Sequence, residues 1–259
     1  MLMHRIILAL GFGLLIALPK ADAALYITDP AQFGAVQAFS SNCDDCFDGP
    51  IAFPGVGQTL NLFGTAYNGG FVGSNGYVTF GAGATSFTSA PLNTQTIGVM
   101  VAGLFTDLDS RDDATSQVFV NTATAGQLVV TFAGMGHFSR IYTVRSTFQL
   151  VIRSDQFNVP AGEGRIGFFY AGVTDTNLAS AGFGDGLAAI NPGEQAFFSG
   201  PANGLSNVAG RWFNVQGGVP IGPAPPSVMI PANSTLGLGL LALLLAFAGV
   251  WVVRSRAQG

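Results

Sequence analysis

Residues 127–132, QLVVTF, and 146–153, STFQLVIR, decide the fold, because in each an apolar side chain recurs at every second position. That period belongs to a β-strand with one face on a core. It sends Leu128, Val130 and Phe132 to one face of the first segment, and Phe148, Leu150 and Ile152 to one face of the second. Thr147, Gln149 and Arg153 then face outward. The stretch 165–173, RIGFFYAGV, repeats the pattern with Ile166, Phe168 and Tyr170. Further strands are expected in YVTF (77–80), IGVMVAGLF (97–105), SQVFV (116–120), QAFF (195–198) and RWFNV (211–215). Helical periodicity is nearly absent, and NGG, SNG, FGAGA, GFGDG and NPG supply glycine and asparagine for tight turns. The 36 glycines and 22 phenylalanines therefore predict an all-β chain: an antiparallel β-sandwich with Gly-rich turns.

Both ends have a different character. Residues 1–23 read as a signal peptide: basic Arg5, an apolar run, then the small-residue signal Ala21-Asp22-Ala23, with cleavage between Ala23 and Ala24. Residues 236–253, LGLGLLALLLAFAGVWVV, carry no charge and are long enough for one transmembrane helix. Arg254 and Arg256 follow at once, which keeps that tip in the cytoplasm and puts the rest of the processed chain across the membrane. Between them lie a domain of residues 24–216 and a Pro/Gly-rich linker, 217–229.

Charge excludes several functions. Without residues 1–23 and the tail, Arg5, Lys20, Asp22, Arg254 and Arg256 are gone, leaving six basic and thirteen acidic residues and a formal charge of −7. No basic stripe remains to neutralise phosphates, so nucleic acid is not an expected partner. The loss of the one lysine also excludes a P-loop or Schiff-base chemistry.

The order of motifs resembles the nidogen-like extracellular (NIDO) family over about residues 60–215. It is carried by SNGYVTFG (74–81), VAGLFTDLDSR (101–111), LVVTFAGMGHF (128–138), STFQLVI (146–152), GRIGFFYAGV (164–173), AGFGDG (181–186) and LSNVAGRWFNV (205–215). Phe105 and Phe132 stand where that family often has tryptophan. The resemblance implies a non-enzymatic surface or matrix protein acting in cell-matrix or biofilm adhesion, with an unknown glycan or protein ligand. The tail, IPANSTLGLGLLALLLAFAGVWVVRSR (230–256), resembles the IPTL and PEP sorting tails of Gram-negative bacteria. Ile230, Pro231, Ala232, Asn233, Ser234 and Thr235 would form the sorting motif, and a sorting protease of the inner membrane would be a partner. A permanent single-span anchor at the envelope is the plainer alternative.

LFTDLDSRDD (104–113) gathers Asp107, Asp109, Asp112 and Asp113. Carboxylates two apart on a strand share a face, and hard oxygen ligands suit calcium, although no EF-hand spacing is present. A calcium cage, serving a calcium-dependent glycan-binding module, and a solvated turn both fit. Cys43 and Cys46 are the only cysteines, and beyond the inner membrane a structural disulfide is the default over free thiols or redox chemistry. His137, in the expected turn GMGHFS, is the only histidine outside the signal peptide, so a secreted hydrolase would have to use it.

Overall fold

A computed structural model of the chain describes residues 24–111, 113–187, 195–206 and 208–223. The signal peptide, Asp112, the sorting motif, the 236–253 span and the basic tip lie outside the described residues. Among those described, no helix is long and apolar enough to cross a membrane.

The strands, in chain order, are β1 (Ala35–Val36), β2 (Phe47–Ala52), β3 (Leu60–Leu62), β4 (Thr65–Tyr67), β5 (Gly69–Gly73), β6 (Tyr77–Thr79), β7 (Met100–Phe105), β8 (Leu108–Asp109), β9 (Gln117–Asn121), β10 (Gln127–His137), β11 (Ile141–Arg153), β12 (Ile166–Val173), β13 (Leu178–Gly184), β14 (Gln195–Pro201), β15 (Arg211–Gln216) and β16 (Val219–Pro223). One sheet runs β1-β9-β10-β11-β12-β15-β16, with β8 paired to β10, and the other runs β14-β13-β7-β6-β5-β2. A small β3-β4 ribbon stands apart. The pairings are antiparallel, as expected.

The two sheets enclose one core. Leu128, Val130, Phe132, Phe148, Leu150, Ile152, Ile166, Phe168 and Tyr170 from the first meet Val72, Val78, Val101 and Leu104 from the second. Phe132 and Phe148 stack with centroids 4.6 Å apart, directly opposite in the β10–β11 register. Phe148 also leans across to β7, where a Cβ on Gly103 would come within 2.9 Å of its ring. The Tyr170 hydroxyl donates to the Gly103 carbonyl at 2.7 Å, tying the layers together.

The outward face corrects the alternation argument. Thr147 is half-buried, but Gln149 and Arg153 are fully buried. The first residues after the expected signal cleavage cover them: the Ile27 amide donates to Gln149 Oε1 at 2.9 Å, and Gln149 Nε2 donates to the Ile27 carbonyl at 3.0 Å. Tyr26, Trp212 and Phe157 close around the Arg153 guanidinium, which pairs with Glu163 and donates to Gln127 Oε1. A buried charge survives only with such partners.

Glycine-rich strands were hidden among the expected turns. Part of NGG became β5 and part of GFGDG became β13. Small residues are needed there because neighbouring side chains lie over them: a Cβ on Gly73 would meet the Tyr77 ring at 2.3 Å, and one on Gly70 would meet Val78 at 2.6 Å. The stretch expected as a linker, 217–229, includes a strand in its described part. Val219–Pro223 is β16, paired to β15 with Gln216 opposite Val219.

Candidate functional site

The aspartate-rich turn is placed by its neighbours rather than by its own sequence. The turn Ser74-Asn75-Gly76 supports it: the Gly76 carbonyl accepts from the amides of Gly103 and Leu104, and Asn75 Oδ1 accepts from the Leu108 amide at 2.8 Å. Gly76 holds φ +85, and a Cβ there would collide with the Leu104 carbonyl at 2.0 Å. β8 then pairs with the end of β10, with Asp109 opposite Gly136 and Leu108 opposite His137. His137 therefore sits on the last residue of a strand, not in the expected turn, because this pairing extends β10 past QLVVTF.

Of the aspartates expected to form a calcium cage, the described ones, Asp107, Asp109 and Asp113, do not converge on one site. Asp109 is fully buried and taken by Arg111, whose Nη2 and Nε lie 2.6 and 3.0 Å from it. The amides of Arg111 and Arg140 add hydrogen bonds of 2.9 and 3.0 Å. Burial alone would raise its pKa, but these donors outweigh burial and hold the carboxyl below its ordinary value. Asp113 is likewise occupied, by Arg145 Nη1 at 2.6 Å, Ser116 and Thr115, and is held down at about 2 against the pull of burial. Asp112 lies outside the described residues.

Asp107 has different company. Its carboxylate comes together with those of Asp44 and Asp45, one oxygen from each lying within 4.8 Å of the others. The expected disulfide is present: Cys43 and Cys46 pair, and the short loop they close holds Asp44 and Asp45. The Ser74 hydroxyl donates to the Asp44 carbonyl and accepts from the Cys46 amide, while Asn75 Nδ2 donates to Asp45 Oδ1 at 2.8 Å. Asp44 Oδ1 and Asp107 Oδ1 are buried without a hydrogen-bond donor. Burial, then Asp109, push Asp44 up to about 6, although Arg111 reaches its other oxygen at 2.7 Å. Burial and Asp45 raise Asp107 too. Among the described residues, the group able to hold a divalent cation is Asp44, Asp45 and Asp107, since three close carboxylates offer the hard oxygens it takes. CDDC displays two of them, but nothing in the sequence brings positions 44 and 45 to 107.

Asp107 also lines an open cleft of about 320 Å³ with His137, Thr106, Asn177, Phe87 and Leu178. His137 Nδ1 lies 3.2 Å from Asp175 Oδ2, close but not aligned as a hydrogen bond. Asp175 Oδ1 accepts from the amide and side chain of Asn177 at 2.8 and 2.6 Å. A nucleophilic triad would need this carboxylate hydrogen-bonded to the imidazole, which the alignment does not give. Among the described residues no hydroxyl or thiol is hydrogen-bonded to His137. A second depression, of about 480 Å³, is bordered by Tyr67, Phe71, Asn68 and Thr59 and by no charged residue.

Comparison with curated proteins finds no match, and neither does comparison with solved structures. The NIDO-related family matches residues 29–199, beginning well before residue 60, where the motif resemblance starts, and taking in β1, the CDDC loop and β2. Most of the chain lies within this match, and the chain belongs to the NIDO-related family.

Proposed function

We propose that this is a non-enzymatic extracellular binding protein of the cell surface or matrix, acting in cell-matrix or biofilm adhesion and sorted or held at the envelope by its tail. The observation that carries the reading is the NIDO-related match across residues 29–199. Gain of adhesion tests it: cells producing the full chain should bind a matrix-coated surface more than cells producing a chain without residues 24–223. Equal adhesion by the two sinks it. The intact mass from fractionated cells addresses the tail. A species running from Ala24 to near Pro231 supports sorting, and one retaining 236–253 in membranes supports a permanent anchor.

A calcium-dependent glycan-binding module is the second reading. It is favoured by the approach of Asp44, Asp45 and Asp107 and by the uncharged cleft edged with Tyr67 and Phe71. Glycan binding that survives both a chelator and Asp107→Asn would exclude it.

A further inference from the structure

The cleft above Asp107 pairs apolar walls with an anionic floor. At its rim Phe87 is 47% exposed and Leu178 69%, large side chains left in water on a domain that buries most of its phenylalanines. Asp107 and His137 line the same cleft and are less exposed than these rim side chains, which makes them its floor. Behind them stand Asp44 and Asp45, and Asp175, 2% exposed, turns an oxygen that accepts no hydrogen bond toward His137. Arg111 is already bound between Asp44 and Asp109. With a formal charge of −7 and no lysine in the processed domain, the surrounding field favours positive partners.

We propose that this cleft receives a lysine or arginine side chain of a partner protein, its stem between Phe87 and Leu178 and its cationic head on Asp107. The inference rests on the binding role proposed above and names the partner's chemistry. A bare ion makes no use of apolar walls, and a space of about 320 Å³ is many times its size. A neutral ligand leaves the floor charge uncompensated, and an anion is repelled. A long basic side chain answers both features, burying its methylenes while its head stays polar, with Phe87 able to add a cation–π contact. The Thr106 hydroxyl is spent on the Leu178 carbonyl at 2.9 Å, which fixes the wall and leaves Asp107 as the charged acceptor. A second copy is a poorer occupant: it has no lysine after processing, and four of its six domain arginines, Arg111, Arg145, Arg153 and Arg165, are already ion-paired.

The test titrates fluorescent tetralysine into the detergent-purified full chain at low salt with chelator present, beside the same peptide with its side chains acetylated. Saturable binding by tetralysine alone is expected, weakened more than tenfold by Asp107→Asn and severalfold by Leu178→Ser. Leu178 is exposed, so the second variant keeps the test valid if the first disturbs folding. Unchanged affinity in both variants means diffuse charge attraction and overturns the proposal, as does equal binding of the acetylated peptide. If adhesion needs residues 24–223 but is indifferent to both substitutions, the cleft inference fails while the adhesion reading stands. If adhesion does not need the domain, that reading fails and the peptide titration judges the cleft alone.

Discussion

Asp107 and Asp109 are two residues apart in one short motif, yet the fold treats them oppositely. Asp109 is the more deeply buried and the better satisfied, with a guanidinium and two backbone amides directed at it. Asp107 is less buried, has a donorless oxygen, and faces Asp44 and Asp45. Burial by itself therefore does not say whether a carboxylate is structural or available. What separates them is the supply of donors: one arginine reaches Asp109 and Asp44, and among the described residues none pairs with Asp107.

The largest test of this contrast is Arg111→Ala. It leaves Asp109 buried with amides only, and should cost roughly 2–3 kcal/mol in urea unfolding at unchanged slope. A loss below about 0.5 kcal/mol would mean that the amides alone satisfy Asp109. The next effect is on pH dependence. Asp44 holds its proton more tightly in the fold, so its contribution is complete below its unfolded value of 3.8 and is lost as pH rises through about 6. Asp109 and Asp113 act in the opposite sense: their contribution is present above 3.8 and is lost as pH falls, for Asp113 through about 2. Thermal midpoints should therefore fall on both sides of about pH 4, and Asp44→Asn should flatten the decline between pH 4 and 6 while leaving the acid side intact.

Asp113→Asn should cost about 1 kcal/mol, because Arg145, its partner, is partly exposed and the pair is screened. Circular dichroism melts at low and high salt would show the difference shrinking with salt. The smallest expected effect is no loss. Asp107→Asn removes a charge that burial and Asp45 disfavour, and should leave the thermal midpoint unchanged or slightly raised without added cation. Destabilisation there of the size seen at Arg111 would erase the distinction between the two aspartates.

The core was legible because period two is local: Leu128, Val130 and Phe132 needed no knowledge of their partners to be placed inward. The glycine strands β5 and β13 were not, since a residue without a side chain carries no alternation and its role depends on what lies over it. The outward face failed for a related reason. Gln149 and Arg153 look solvated until residues 26 and 27, over a hundred positions away, fold across them. His137 was picked out by rarity, but its neighbour Asp175 was not, because aspartates are common in this chain and only the approach of the β12–β13 loop to the end of β10 selects one.

An all-β chain, its main inward residues, its charge and the two cysteines able to close a loop were legible in residue order alone, because each is a property of composition or of neighbours a few residues apart. Which aspartates meet depended on the folded chain. Asp44 and Asp45 reach Asp107 through a disulfide loop, a buried asparagine and a turn on another strand, and electrostatics acts through distances in space that no local pattern encodes.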